Sequence, residues 1–125
     1  MNYQGIVNIQ IDEIDRLSCV GSDPKRDRLI ESMRRDGWKG RPLLVVEFED
    51  GRFRALTGSH RYDAAKKAPF TEIPCHVIST NRWSQSGLSY DHIRILPEPQ
   101  RVAALRAAGL ADAADLCQQE IDLHW

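Results

Sequence analysis

The chain has 125 residues, with 17 Lys and Arg against 18 Asp and Glu, and a formal net charge of -1. This length fits one domain, and 42% hydrophobic with 28% charged residues is typical of a globular fold, which excludes a disordered or collagen-like chain. The longest strongly apolar run, Leu43–Val46, is far shorter than a membrane span, and Met1–Gly5 shows no signal-peptide pattern. The scattered Cys19, Cys75 and Cys117 do not form a disulfide framework, so we expect a cytoplasmic protein with no membrane partner.

The charge is distributed unevenly along the chain. Residues 1–23 carry a net charge of -3, residues 24–67 carry twelve Lys and Arg against seven acids for +5, and residues 68–125 return to -3. The neutral total argues against general polyanion binding, but the basic centre is where a local phosphate site is expected.

The first predicted elements are a strand and a helix. Residues Ile6–Ile11 alternate as a half-buried strand. A helix is expected to begin at Asp23-Pro24, because Asp caps free N–H groups and Pro fits the first turn, and to end at Gly37. Its apolar stripe consists of Leu29, Ile30 and Met33.

A hairpin is predicted next. Residues Leu43–Phe48 form a continuous apolar strand of the kind that is covered on both faces. Asp50-Gly51 supplies the positive φ angles of a tight turn, and Phe53–Thr57 returns as the partner strand.

The second half predicts a helix, a strand and a helical tail. A helix over Tyr62–Ala68 precedes a strand over Ile73–Ile78, in which Pro74 favours an edge position. Residues 79–97 give no clear pattern, and two Ala-rich helices are expected at about 99–108 and 111–121, hinged at Gly109. We therefore expect an α+β domain over residues 1–96 and a helical C-terminal extension over residues 97–125, packed on the domain or on a partner subunit.

The segment Thr57-Gly58-Ser59-His60-Arg61 joins the second hairpin strand to a helix, and this arrangement suits an anion. N–H groups in the first helical turn lack intrahelical partners, and the helix dipole adds partial positive charge there. Gly58 permits close approach of the ligand, Ser59 can cap the helix, and His60 and Arg61 add donors. Simple capping, with His60 and Arg61 solvated or paired with Asp63, is the alternative interpretation.

Residues 29–78 resemble the ParB/sulfiredoxin superfamily through four segments in the same order. These segments are Leu29–Gly37, Pro42–Val46, Leu56–Ala65 and Ile73–Val77. ParB proteins carry Gly-Glu-Arg-Arg at the strand-to-helix turn and sulfiredoxins carry Gly-Cys-His-Arg, where this chain has Gly58-Ser59-His60-Arg61. The resemblance implies a small mixed sheet with packed helices, in which this turn holds the phosphates of a nucleotide.

The resemblance also implies a set of ligands and roles. A nucleoside tri- or diphosphate (ATP, ADP or CTP), with Mg2+ bound through its phosphates, is the expected cofactor, and Lys39 and Arg41 are expected near the turn. Glu31, as a base, and His60 are the candidates for catalytic roles in NTP hydrolysis or phosphoryl transfer. The spacing of the four His and three Cys predicts no structural metal. Trp38, Trp83 and Tyr62 either stack on a base or pack in the core.

Departures from the family patterns limit the activity. Ser59 replaces the nucleophilic Cys of sulfiredoxins, so reductase activity is not expected. A helix-turn-helix near Gly109 is disfavoured because residues 109–125 carry four acids and no Lys or Arg. A DNA-binding protein or ParB-like nuclease using the basic face is the first alternative function. A non-catalytic interaction module, with a homodimer through the C-terminal helices, is the second.

Overall fold

The computed structural model describes residues 6–15, 24–38 and 42–122, and of residues 24–26, 59, 121 and 122 it describes the backbone only. The strands within this part of the chain are β1 (Ile6–Gln10), β2 (Ile14–Asp15), β3 (Leu43–Glu47), β4 (Phe53–Ala55) and β5 (Glu72–Ile78). The α-helices are α1 (Pro24–Asp36), α2 (Ser59–Lys67), α3 (Thr80–Ser86), α4 (Tyr90–Ile95), α5 (Glu98–Ala107) and α6 (Ala111–Asp122). A 3-10 turn over Ile11–Glu13 joins β1 to β2.

The described strands form one mixed sheet in the order β1-β5-β3-β4-β2. β1 pairs with β5 and β3 pairs with β4 in antiparallel fashion, while β3 is parallel to β5 and β2 is parallel to β4. The mixed sheet with helices on it confirms the predicted α+β class.

The sheet separates two apolar clusters, and β3 contributes to both. Leu43 and Val45 pack with residues of α1 and α2, while Leu44 and Val46 pack with residues of α3 to α6. Successive side chains of a strand point to opposite faces, so the four fully buried residues of β3 divide evenly between the clusters. The prediction of a strand covered on both faces is confirmed, and the molecule is a helix–sheet–helix sandwich.

The helices that follow the sheet cover its second face. Leu105 of α5 and Ala113, Ala114 and Cys117 of α6 are buried in the cluster that contains Leu44 and Val46. Small residues on α6 allow this helix to approach closely, and the tail is therefore packed against its own sheet.

Three details differ from the sequence-based predictions. The edge position predicted for Pro74 is wrong, because β5 lies between β1 and β3. Pro74 is accommodated because pairing with β3 begins one residue later, where Cys75 is opposite Leu43. The helix predicted from Tyr62 begins at Ser59, so Ser59, His60 and Arg61 form its first turn. Residues 79–97 contain the helices α3 and α4, which are too short to give a periodic pattern.

Among the described residues, every helix is too short or too polar to traverse a lipid bilayer.

Candidate functional site

The site begins at the glycine between the end of the hairpin and α2. Gly58 lies in the left-handed region (φ 72°, ψ 34°) at the N-cap position, and its carbonyl accepts the first helical hydrogen bond from Tyr62 N–H at 2.8 Å. A Cβ atom at this position would lie 2.5 Å from Cδ1 of the buried Leu43. Both the backbone angle and the packing therefore require glycine. The cap assigned to Ser59 from the sequence is wrong, since Gly58 occupies that position.

Thr57 fixes the strand end in front of the turn. Its side-chain oxygen accepts a hydrogen bond from Leu44 N–H at 3.2 Å, and the preceding Leu56 N–H donates to Leu44 O at 2.8 Å. The threonine hydroxyl thus continues the ladder between β3 and β4 by one residue. Thr57 is buried, and its hydroxyl holds the strand end in front of Gly58.

Arg61 is a buried arginine whose guanidinium holds a carboxylate beside Gly58. Its side chain is only 1% exposed, its Nε donates to Glu120 Oε1 at 3.0 Å, and its Nη2 donates to Glu120 Oε2. The guanidinium also lies 4.9 Å from the ring centre of Trp38. This bidentate geometry is the one arginine uses for carboxylate and phosphate groups.

The bound carboxylate lies against the start of α2. Glu120 Oε1 is 3.5 Å from the position of a Cβ built on Gly58. Arg61 belongs to the helices on one face of the sheet and Glu120 to those on the other, so the site lies where the two helical layers meet. The positive end of the α2 dipole and the Arg61 charge both stabilise an anion there.

The remaining predicted binding residues have different outcomes. His60 is exposed on the first turn of α2. Ser59 begins this helix, but its side chain is not described, and Lys39 and Arg41 lie outside the described residues. Near the turn, Lys67 Nζ lies 3.4 Å from Asp63 Oδ2, and Arg61 binds Glu120.

Glu31, the predicted base, is exposed on α1 and shares a shallow surface groove with Asp27, Arg28, Ser32 and Arg35. α1 ends at Asp36, five residues after Glu31, and Trp38 beside Arg61 lies outside this helix. The structure brings together Thr57, Gly58 and Arg61 but does not add Glu31 to them.

Glu120 is the site residue that sequence reasoning missed. It is a single acid in an acidic tail, and its spacing from Arg61, 59 residues away, carries no local signal. Only the charge difference between the basic centre and the acidic end pointed toward such a contact.

The cysteines do not offer a nucleophile in the described residues. Burial raises the pKa of the Cys75 thiol and of the Cys117 thiol to about 12. Both thiols are therefore protonated at neutral pH, whereas sulfur chemistry needs the thiolate. Cys19 lies outside the described residues.

The aromatic candidates for base stacking lie mainly in the core. Tyr62 is buried and its hydroxyl donates to Ile14 O at 2.9 Å, and Trp83 is buried in the second cluster. Trp38 is half-buried against Arg61, which leaves part of its ring at the site. Within the described part of the chain, His, Cys, Asp and Glu form no group of three or more that could hold a metal ion.

A second ion-pair cluster fastens the other end of α6. Asp112 accepts hydrogen bonds from Arg82 Nη1 at 3.0 Å and Nη2 at 2.7 Å, and its Oδ2 lies 2.9 Å from His76 Nε2. The hydrogen bonds from Arg82, and then that from His76, hold the pKa of the Asp112 carboxyl well below its usual range. This cluster joins α6 to α3 and β5.

Comparison with known proteins identifies the class to which this arrangement belongs. A family model of the ParB N-terminal domain matches residues 1–88. The chain belongs to this family, and the predicted membership of the ParB/sulfiredoxin superfamily is confirmed. A search of curated proteins finds no match.

Solved structures share the fold. Sulfiredoxin from Arabidopsis thaliana has a TM-score of 0.53 and 24% identity, over 65% of this chain and 94% of that one. A C-terminally truncated ParB from Caulobacter crescentus, complexed with CTP-gamma-S, has a TM-score of 0.54 and 18% identity, over 94% and 99%. The same ParB complexed to the centromeric parS site has a TM-score of 0.51 and 17% identity, over 86% and 63%.

Proposed function

We propose that the turn Thr57–Arg61 is a phosphate cradle that binds a nucleotide, with ATP, ADP and CTP as the candidates. The observation that carries this proposal is the buried guanidinium of Arg61, which together with the start of α2 already holds a carboxylate beside Gly58. A phosphate group presents oxygens to the same donors with the same bidentate geometry. The complex of the related ParB with CTP-gamma-S supports a nucleotide as the source of that phosphate.

The cation expected with such a ligand is Mg2+. The described residues supply no acidic cluster for it, so Mg2+ would be bound through the phosphates and would neutralise part of their charge. His60 is exposed in the first turn of α2 and is available to donate to a phosphate oxygen. Lys39 and Arg41 are further proposed ligands.

The binding proposal is tested by calorimetry with CTP, ATP and ADP, each with and without Mg2+. Arg61→Ala should weaken binding by at least about tenfold, because a charge-assisted bidentate contact is lost. Arg61→Lys keeps the charge but not the planar fork, so its affinity should also fall. Arg52→Ala is the control, since Arg52 is paired with Asp15 in another part of the sheet, and it should bind as the natural chain does.

Thermal unfolding of each variant separates loss of the ligand contact from loss of the fold. Nucleotide binding that is unchanged by Arg61→Ala would contradict the proposal. The proposal would also be contradicted if CTP, ATP and ADP all failed to bind both the natural chain and the variant Glu120→Gln.

Catalysis is a separate part of the proposal. NTP hydrolysis or phosphoryl transfer would use His60 at the cradle. Glu31 would act as the base on the attacking water or hydroxyl, which requires the bound nucleotide to reach α1. A phosphate-release assay with His60→Ala and Glu31→Gln checks these roles. Equal turnover by both variants and the natural chain would exclude them while leaving nucleotide binding intact.

DNA binding is the second candidate, and the related ParB in complex with parS motivates it. The described surface arginines favour a local ligand instead, because several of them are paired with aspartates: Arg35 with Asp36, Arg52 with Asp15, Arg82 with Asp112 and Arg106 with Asp115. Paired arginines contribute little to a polyanion interface. Gel-shift and plasmid-nicking assays at low salt test DNA binding, which must weaken steeply as salt is added. Cytoplasmic location and a homodimer through α5 and α6 stay predictions.

A further inference from the structure

The anion position of the phosphate cradle is filled by the protein itself. Both oxygens of the Glu120 carboxylate accept hydrogen bonds from the Arg61 fork, and one of them lies beside Gly58 at the start of α2. The side chain of Arg61 is 1% exposed and that of Glu120 is 13% exposed, so the pair is largely closed off from water.

A nucleotide phosphate cannot occupy the Nε/Nη2 edge of Arg61 without displacing the Glu120 carboxylate. The Nε and Nη2 donors of Arg61 are both engaged by Glu120, and a second anion at the same fork would face the carboxylate at close range. Like charges at such a distance repel strongly in a buried site. Occupation of the Nε/Nη2 edge by Glu120 and by phosphate is therefore mutually exclusive.

The displaced group belongs to a helix that is fastened at its other end. Asp112, near the start of α6, is held by Arg82 and His76, and Ala113, Ala114 and Cys117 are buried in the second cluster. Glu120 lies eight residues, about two turns, after Asp112 and three residues after Cys117, close to the last described residues. Release of Glu120 therefore affects the end of α6 beyond Cys117, while the helix up to Cys117 stays on the sheet.

We propose that Glu120 is an internal competitor that closes the phosphate cradle, and that ligand phosphate opens it by releasing the last turn of α6, beyond Cys117. This inference rests on the proposed function, since it needs the cradle to bind phosphate. Binding of phosphate and release of Glu120 are thermodynamically linked. A partner that binds the released end of α6 therefore raises the affinity of the cradle for phosphate by the same factor by which phosphate raises the affinity for that partner. The apparent affinity of the natural chain is reduced by the fraction of molecules in which the cradle is open.

Calorimetry with CTP and ATP on Glu120→Gln tests the competition. Gln keeps the shape of the side chain but removes the charge that occupies the Arg61 fork, so Kd should fall at least about fivefold. Asp115→Asn is the matched control, because it makes the same charge change on the exposed face of the same helix, where Asp115 pairs with Arg106. Its Kd should stay within about twofold of that of the natural chain.

Hydrogen–deuterium exchange on the natural chain provides a measurement without a mutation. Addition of the nucleotide should increase exchange in the last turn of α6, which contains Glu120, and leave the turn around Asp112 protected. Equal affinity of Glu120→Gln and the natural chain, or nucleotide binding with unchanged exchange in α6, would overturn the competition and leave the cradle standing. Absence of nucleotide binding by both proteins would overturn the proposed function, and this inference with it.

Discussion

Gly58 carries two separate constraints, one from its backbone and one from its surroundings. Its φ of 72° is in the left-handed region, and an added Cβ would lie 2.5 Å from Leu43 Cδ1. Gly51, in the turn between β3 and β4, has a φ of 83° but no heavy atom within 4 Å of an added Cβ. These two glycines therefore separate the cost of the backbone angle from the cost of overpacking.

Gly58→Ala should lower the free energy of unfolding by more than Gly51→Ala does. The left-handed angle alone costs about 1 kcal/mol for Ala, which is the expected effect at Gly51. The contact with Leu43 should add about 1–3 kcal/mol at Gly58, because the leucine is fully buried and must shift within a packed core. Urea unfolding of both variants measures the difference, and equal losses would show that the core relaxes freely around the new methyl group.

At the residue scale, the turn Thr57–Arg61 could be predicted from the sequence, but its contact with Glu120 could not. Gly58 and Arg61 could be predicted because a strand, a glycine and a helix follow one another within a few residues. Glu120 could not, since its contact with Arg61 is set by the packing of α6 across the sheet, which no local spacing records.

Elements with a strong pattern were predictable, and those held by single side chains were not. The apolar run of β3 and the Asp50-Gly51 turn have local causes, so the hairpin was found. The helices α3 and α4 have only seven and six residues, and they depend on contacts from elsewhere in the chain. The side chain of Arg101 supplies one set of those contacts.

Arg101 is a buried arginine that donates to backbone carbonyl groups from two parts of the structure. Its Nε donates to Ile93 O at 3.2 Å and its Nη2 to Arg94 O and Leu96 O at 3.3 and 3.1 Å, at the C-terminal end of α4. Its Nη1 lies 3.4 Å from Leu56 O, directly before the phosphate cradle. A cation at the end of a helix also interacts favourably with the helix dipole.

Arg101→Met should destabilise the protein by about 3 kcal/mol. Met fills a similar apolar volume, so the loss comes mainly from leaving buried carbonyl groups without a donor. Arg94→Met is the control, because Arg94 is exposed on α4, and its effect should be below about 0.5 kcal/mol. Urea unfolding measures both, and similar losses for the two variants would contradict the role assigned to Arg101.

At the scale of the whole molecule, α6 is held by ion pairs at both of its ends. Arg61 and Glu120 connect the layers at the cradle, while Asp112 connects α6 to β5 and α3. The order of strands in the sheet depends on contacts between elements that are distant in the sequence. The residues of β5 were correctly predicted as a strand, but its position between β1 and β3 was not predicted, because no local pattern records those neighbours.

Asp112 makes the stability of this assembly depend on pH. Because Arg82 and His76 hold its pKa in the folded state below the ordinary value of about 4, the unfolded state binds more protons as the pH falls. The stabilisation by Asp112 is therefore complete at pH 7 and is lost progressively as the pH falls from about 5 toward the lowered pKa.

Asp112→Asn should lower the free energy of unfolding at pH 7 by about 1 kcal/mol, a modest value because the Asp112 and Arg82 side chains are about 40% exposed. The gap between the natural chain and this variant should narrow as the pH is lowered from 7 to 3. Urea unfolding at pH 7, 5 and 3 measures it, with Asp115→Asn as the control for an exposed pair on the same helix. A gap that stays constant down to pH 3 would show that the Asp112 carboxylate is not held ionised by Arg82 and His76, and that α6 is fastened to the sheet by its apolar contacts alone.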